Sequence, residues 1–150
     1  MINGTPIKRD LLIEYLHLIQ DKYRCIKKSH LAALSDIMKI PFAEAFEVAS
    51  FYAHFDVLDD NDPTPPEITI RMCDSLTCEL KGSDSLLKDL QKKYHNSDKV
   101  RVLRAPCMGL CDVAPACEVG HNHIKNCSME TIENAIKKKD THPQIIDGIS

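Results

Sequence analysis

The spacing of hydrophobic residues changes character near residue 60 of the chain. Upstream of this point, apolar residues recur every three or four positions, a spacing that is typical of amphipathic helices. Three helices are predicted, in the segments DLLIEYLHLIQDKY, HLAALSDIMK and PFAEAFEVASFYAHF. We expect Ser29 to cap the second helix and Pro41 to lie in the first turn of the third.

The apolar stripes of the first and third helices predict which of their faces are buried. The stripe of the first helix comprises Leu11, Leu12, Tyr15, Leu16, Leu18 and Ile19. The stripe of the third helix comprises Phe42, Ala45, Phe46, Ala49, Tyr52 and Phe55. Together these patterns predict an N-terminal helical domain over residues 1–58.

Downstream, residues alternate with the period of strands in EITIRM and KVRVLRA, and ACEVG and HIKN form a predicted hairpin. Two further helices are expected, SDSLLKDLQKKYH with Ser83 or Ser85 as its cap and SMETIENAIKKK capped by Ser128. The segment LDDNDPTPPE, residues 58–67, has the composition of a linker. The order β-α-β-β-α over residues 67–140 predicts a small thioredoxin-like domain, and the whole chain is expected to be α+β.

Composition and charge exclude several classes of protein. A net charge of −3 argues against a nucleic-acid partner, which usually meets a strongly basic face. No apolar run is long enough to cross a bilayer, and the segment MINGTPIKRD lacks the apolar centre of a signal peptide. We therefore expect no membrane insertion and a reducing, cytoplasmic location. There, clustered cysteines indicate metal or redox chemistry rather than a disulfide framework.

Four of the seven cysteines form two spaced pairs. Cys73 and Cys78 are separated by four residues, and on a helix their side chains would point about 140° apart, so we expect a loop. Cys107 and Cys111 are separated by three residues, and Gly109 with the flanking prolines favours a second loop. Four thiolates from two such loops suit a tetrahedral zinc ion or an iron–sulfur cluster.

The width of the two loops favours the larger of these groups. Structural zinc sites prefer two residues between paired cysteines, whereas a 2Fe–2S cluster needs only two protein sulfurs for each iron. We therefore expect each loop to hold one iron. Apolar side chains of both loops are expected to exclude water from the rim of the site, namely Leu76, Met108, Leu110 and Val113.

The other three cysteines, Cys25, Cys117 and Cys127, are expected to be small buried apolar residues. Exchange of Cys117 into the ligand set is the main alternative to this interpretation. The segment HNH at residues 121–123 is expected to be a polar turn rather than a metal site.

Three segments, EVASFYAHFDV, RMCDSLTCELKGSDSLLKDL and RAPCMGLCDVAPACEVG, occur in this order. They resemble the 24-kDa family of NADH dehydrogenase components, the E subunits, over about residues 10 to 139. The resemblance implies an N-terminal helical bundle, a thioredoxin-like ferredoxin domain and one 2Fe–2S cluster. It further implies that the cluster ligands are Cys73, Cys78, Cys107 and Cys111, and that the chain docks against a larger subunit that binds FMN and NAD(H).

Relatives of this family serve respiratory complex I, NAD-linked hydrogenases and NAD-linked formate dehydrogenases. Many respiratory members carry Gly where this chain has Asp112, and the interval between its cysteine pairs is compact. The segments RAPC and EVGHN look more like the soluble dehydrogenase branch. If the complex is respiratory, the chain would instead lie peripherally at the inner face of a membrane.

The expected function is that of an electron-transfer subunit of an NAD(H)-dependent oxidoreductase. The chain has no Gly-rich dinucleotide fingerprint, so FMN and NAD are expected in the partner, and no side chain is expected to act as an acid or base. The alternative is a zinc-stabilised structural or assembly module without redox activity. A thiol–disulfide enzyme is disfavoured because the chain lacks a C-x2-C motif.

Overall fold

The computed structural model describes residues 7–142, and the chain divides into two compact units between Pro65 and Pro66. The first unit is mainly helical, and the second combines a mixed sheet with helices. The expected α+β fold class is confirmed. That residues 1–58 and 67–140 each fold as an independent domain remains a prediction, and its first six residues lie outside the described range.

The N-terminal unit is a bundle of three helices with a short pair of strands. Its elements are α1 (Leu12–Tyr23), β1 (Ile26–Lys27), α2 (Lys28–Met38), α3 (Phe42–Phe51) and β2 (Val57–Leu58). The two strands pair in parallel, with Ile26 opposite Val57. The core between the helices includes Leu12, Tyr15, Leu16, Ile26, Leu31, Leu34, Ala45, Ala49 and Phe55.

Two helix starts in this unit differ from the predictions. Lys27, not Ser29, is the N-cap of α2. Ser29 lies inside the first turn, where its backbone N–H donates to Oδ1 of Asp60 at 3.1 Å. The carboxylate of Asp60, in the linker, thus accepts a hydrogen bond from a backbone amide that has no partner within the helix. The sequence pattern alone does not predict this contact. Pro41 is the N-cap of α3 rather than part of its first turn.

The apolar stripes are narrower than predicted. Leu18 is 42% exposed because it lies on the flank of α1, whose buried face is centred on Leu12, Tyr15 and Leu16. On the α3 segment the small residues Ala45 and Ala49 are buried, whereas Phe42 and Tyr52 remain exposed. Close packing of the helix through Ala45 and Ala49 leaves the rings of Phe42 and Tyr52 outside.

The C-terminal unit is a four-stranded mixed sheet with helices. Its elements are β3 (Ile68–Cys73), α4 (Leu76–Leu80), α5 (Ser83–Tyr94), β4 (Val100–Ala105), β5 (Cys117–Val119), β6 (Asn122–Ile124) and α6 (Met129–Lys138). The strand order is β4-β3-β5-β6; β3 and β4 are parallel, and the other neighbours are antiparallel. The predicted helices and strands are all present, but the order along the chain is β-α-α-β-β-β-α, which contains α4 and one strand more than the predicted β-α-β-β-α.

Helices α5 and α6 share one core with the sheet. Ile70 and Met72 of β3 contribute to the same buried cluster as Leu87 and Leu90 of α5 and Ile132 of α6. Burying five such side chains contributes about 1.5–3 kcal/mol each. Among the described residues, no helix has both the length and the apolar character that crossing a bilayer requires.

Of the two helix caps predicted in this unit, one is confirmed and the other is wrong. Ser128 caps α6 as predicted, with its Oγ accepting a hydrogen bond from the Thr131 backbone N–H at 3.2 Å. The N-cap of α5 is Gly82, not Ser83 or Ser85. Its φ of 91° lies in the left-handed region, which glycine adopts without strain and which lets α5 follow α4 directly.

The sheet register determines where the two cysteine loops begin. Cys73, the last residue of β3, is directly opposite Ala105, the last residue of β4. Because the strands are parallel, the segments that follow them leave from the same edge of the sheet. The paired cysteines are carried by these two segments.

Candidate metal centre

The first cysteine pair is built from a strand end and a short helix. Cys73 ends β3, and its backbone N–H donates to the carbonyl of Ala116 at 3.2 Å. Cys78 lies inside α4, so the expected simple loop contains one helical turn. Each residue is only 2% exposed. A strand end and a helix can direct both thiols inward, which a single helix cannot do.

The second pair lies in the segment after β4. Cys107 and Cys111 are exposed, and Gly109 between them has a φ of 77°, which confirms the expected turn. The segment continues through a short 3-10 helix at Cys111–Val113. Two backbone bonds hold its far end to the segment before α6: Asn126 N–H to the Val113 carbonyl at 2.8 Å, and Cys127 N–H to the Pro115 carbonyl at 2.7 Å.

The geometry of the second pair suits one metal ion. The Sγ atoms of Cys107 and Cys111 are 3.7 Å apart. Two sulfurs that each lie about 2.3 Å from one tetrahedral ion would be about 3.8 Å apart. The loop therefore holds this pair at the spacing that coordination requires.

Hydroxyl side chains of the first segment connect the two pairs. Sγ of Cys73 is 3.4 Å from Oγ of Ser75, a hydroxyl that is also near enough to Cys107 to stabilise its thiolate form. The hydroxyl of Thr77 is likewise near enough to Cys111 to stabilise its thiolate form. The structure thus brings all four predicted site residues to one edge of the sheet.

The electrostatic surroundings of the thiols differ. A hydrogen bond from the Gly109 backbone N–H, at 3.4 Å, lowers the pKa of the Cys107 thiol. Hydrogen bonding to Cys107 and the charge on that sulfur raise the pKa of Cys111, and burial raises the pKa of Cys78. Holding Cys78 and Cys111 as thiolates without a cation is therefore unfavourable, and metal binding that releases their protons relieves this cost.

An apolar wall surrounds the buried pair. Cys73 and Cys78 pack with Ala114 and Ala116, and the partly buried side chains of Met108 and Leu110 lie against them. Met108 and Leu110 therefore lie where we expected them. Leu76 does not, because 70% of its surface is exposed.

The remaining cysteines are buried, as expected of small apolar residues. Cys25 donates to the Tyr23 carbonyl at 3.6 Å in the N-terminal unit. Cys117 and Cys127 belong to the core under α5 and α6, where Sγ of Cys127 is 4.0 Å from Sδ of Met72. They hydrogen-bond to each other, which raises the pKa of Cys117 and lowers that of Cys127.

Sequence reasoning missed Ser75 and Thr77 as parts of this site. Both hydroxyls stand between the cysteines of the C-x4-C motif, and each reaches a cysteine of the other pair. Their position inside the motif could have indicated that they lie near the cysteines. Their direction depends on the helical turn of α4, which the sequence pattern does not predict.

The sequence matches the thioredoxin-like 2Fe-2S ferredoxin family over residues 1–140. The chain belongs to this family. Its cofactor is accordingly a 2Fe–2S cluster, and the expected electron-transfer function is confirmed, whereas no finding supports the zinc alternative. Four soft thiolate donors, two within an apolar wall and two spaced for one ion, fit such a cluster.

Several relatives are E subunits of NADH-quinone oxidoreductases. That of Aquifex aeolicus is 30% identical over 131 residues, covering 83% of this chain and 79% of its own. That of Rickettsia bellii is 26% identical over 112 residues, covering 70% of this chain and 64% of its own. They confirm the resemblance to the 24-kDa family, whose members are components of larger oxidoreductase assemblies.

A solved structure shows the same fold. It is a chain of an NAD+-reducing NiFe-hydrogenase in the hydrogen-reduced state, with a TM-score of 0.68 and 23% sequence identity. The similarity covers 94% of this chain but only 24% of the hydrogenase chain. This protein thus corresponds to about a quarter of that larger polypeptide.

Proposed function

We propose that Cys73, Cys78, Cys107 and Cys111 bind one 2Fe–2S cluster, through which the chain carries electrons within an NAD(H)-dependent oxidoreductase complex. The observation that carries this proposal is the meeting of two cysteine pairs at one sheet edge. The pairs are linked through Ser75 and Thr77, and the exposed pair has a sulfur–sulfur distance of 3.7 Å.

The residues of the site have separate roles in this proposal. Cys73 and Cys78 hold the buried side of the site, where Ala114 and Ala116 keep water away. Cys107 and Cys111 hold the exposed side, and the Gly109 N–H stabilises negative charge on the Cys107 sulfur. When bound, the cluster supplies one-electron redox chemistry, and hydrogen bonds to its sulfurs raise the reduction potential.

We further propose that the partner is a larger subunit that binds FMN and NAD(H). The relatives are subunits of NADH-quinone oxidoreductases, and the similar hydrogenase chain is NAD+-reducing. No glycine-rich dinucleotide fingerprint occurs in this chain, so nicotinamide and flavin would belong to the partner. The composition of the chain and its seven free cysteines favour a cytoplasmic location.

The test begins with anaerobic purification of the tagged chain and any flavoprotein that accompanies it. We expect iron and acid-labile sulfide in equal amounts, visible absorption from the cluster, and an EPR signal that appears when NADH is added to the complex. The isolated chain should need a chemical reductant instead. A colourless preparation that contains zinc and gives no EPR signal would overturn the proposal.

A further inference from the structure

A buried ion pair joins the two central strands of the C-terminal unit. Arg71 of β3 and Glu118 of β5 are directly opposite each other in the antiparallel ladder, and Nη1 of the arginine is 3.5 Å from Oε2 of the glutamate. Only 8% of the Arg71 side chain and 13% of the Glu118 side chain are exposed. Arginine and glutamate are seldom buried to this extent, so the pair needs an explanation.

Alternation along the strands places this pair on the same face of the sheet as a proposed ligand. Ile70 and Met72 pack in the core under α5 and α6. Arg71 and Cys73 alternate with them along β3 and therefore lie on the opposite face. Glu118 lies there too, because both of its neighbours in β5 belong to the same core. Arg71 precedes Cys73 by two residues, a backbone distance of about 6.6 Å.

Holding the two strands together explains the pair poorly. Its N–O distance of 3.5 Å is longer than the about 2.7–2.9 Å of a strong charge-assisted hydrogen bond. Desolvation of two buried charges also offsets most of their attraction, and apolar residues of similar volume often stabilise a fold at least as well. Apolar residues cannot, however, supply an electric field at a neighbouring redox site.

We propose that Arg71 and Glu118 set the reduction potential of the 2Fe–2S cluster, with Arg71 raising it and Glu118 lowering it. The inference rests on the proposed function and adds the residues that adjust it through their charge. Reduction adds one electron, and with it one negative charge, which a nearby cation favours and a nearby anion opposes. Buried charges act strongly on such a site because solvent and salt screen them little.

The size of the effect follows from the distance between the charges. At about 10 Å and an effective dielectric constant of about 20, one unit charge changes the reduction equilibrium by about tenfold or more. A tenfold change corresponds to about 59 mV for one electron. In the wild-type chain the two opposite charges largely cancel, so removing either one reveals the effect of the other.

The decisive variant is Glu118→Gln, because glutamine has nearly the size of glutamate and the remaining arginine keeps its charge at any working pH. The chain with its cluster is titrated anaerobically with dithionite as the reductant, and EPR reports the reduced fraction at each potential. We expect the midpoint potential to rise by about 59 mV or more, the equivalent of a tenfold change. Arg71→Gln should lower it, and the double variant Arg71→Gln/Glu118→Gln should lie between the two single variants.

Three control variants separate an effect of charge from an effect of packing. Arg71→Lys keeps the positive charge and should leave the potential closer to that of the wild type than Arg71→Gln does. Arg101→Gln should lower it less than Arg71→Gln, because Arg101 is opposite Thr69, farther from the end of the strand that carries the ligand. Glu133→Gln, which removes the ion pair with Lys93 between α5 and α6, should leave it unchanged.

The outcomes separate this inference from the proposed function. A wild-type chain without a 2Fe–2S spectrum would overturn the proposed function itself. An intact spectrum with unchanged potentials in Glu118→Gln and Arg71→Gln would overturn only the electrostatic role. Shifts of both variants in the same direction would also overturn it, because a loosened site rather than a charge would then explain them. If Arg71→Gln does not retain the cluster, the direction of the Glu118→Gln shift decides.

Discussion

The two cysteine pairs of the candidate centre stand in opposite environments. Cys73 and Cys78 are buried against alanines, at positions that the strand end and α4 determine. Cys107 and Cys111 are exposed, in a segment that turns at Gly109. The buried pair is positioned by the fold, whereas the exposed pair is positioned by local hydrogen bonds.

The buried and the exposed cysteine pair therefore have different roles in the same site. Burial excludes water from one side and makes a charged thiolate costly there without a cation. Exposure on the other side leaves sulfur accessible to a partner, and the Gly109 N–H favours the thiolate form. A change in the buried pair should therefore damage the site more than the same change in the exposed pair.

The largest effect is expected for Cys78→Ser. Serine replaces a soft donor with a hard one in an apolar wall that gives water no access to complete the coordination. Cluster affinity should fall by more than about 100-fold, since even residues behind a ligand contribute about 10–100-fold. Iron content and visible absorption after anaerobic reconstitution measure the loss, and full retention of both would remove Cys78 from the ligand set.

A smaller effect is expected for Cys111→Ser. The side chain is exposed, so the serine oxygen or water can complete the coordination. The variant should retain a larger fraction of cluster than Cys78→Ser, with altered absorption and EPR spectra. If Cys111→Ser lost more iron than Cys78→Ser, the proposed division between a buried and an exposed side would be wrong.

The chain without its cluster should show the same contrast in thiol reactivity. Cys107 has a lowered pKa, so its thiolate persists to lower pH, whereas burial raises the pKa of Cys78. Iodoacetamide should modify Cys107 before Cys78, with about a tenfold change in thiolate fraction for each pKa unit. Peptide mass spectrometry over a pH series reports the order, and simultaneous modification would contradict it.

The smallest effect on the cluster is expected for Cys127→Ser. Its thiol lies in the core, where its hydrogen-bonding neighbours are the sulfur atoms of Met72 and Cys117, and such weak acceptors would leave a serine hydroxyl poorly satisfied at a cost of about 1–3 kcal/mol of stability. The unfolding midpoint in urea should fall while the cluster spectrum of the reconstituted chain stays unchanged. Cys25→Ser is the matched control in the N-terminal unit, and a changed spectrum in either variant would show that the ligand set is incomplete.

Much of this arrangement follows from the sequence because strand periodicity and glycine or proline turns are local signals. The strands at residues 68–73 and 100–105 and the cap at Ser128 are of this kind. The helical turn of α4 and the hydrogen bond from the Ser29 backbone N–H to Asp60 depend instead on contacts with other segments. The exposure of Leu76 could not be predicted either, because an apolar residue beside a cysteine can lie in a buried wall or at the surface of the protein.

The central claim, that both cysteine pairs bind one cluster, is tested most directly by crystals of the chain with its cluster. Diffraction data collected on either side of the iron absorption edge locate iron without reference to any assumed ligand. We expect two iron peaks within one site, one beside Cys73 and Cys78 and the other beside Cys107 and Cys111. A single peak that persists at the zinc edge, or iron bound by other residues, would contradict it.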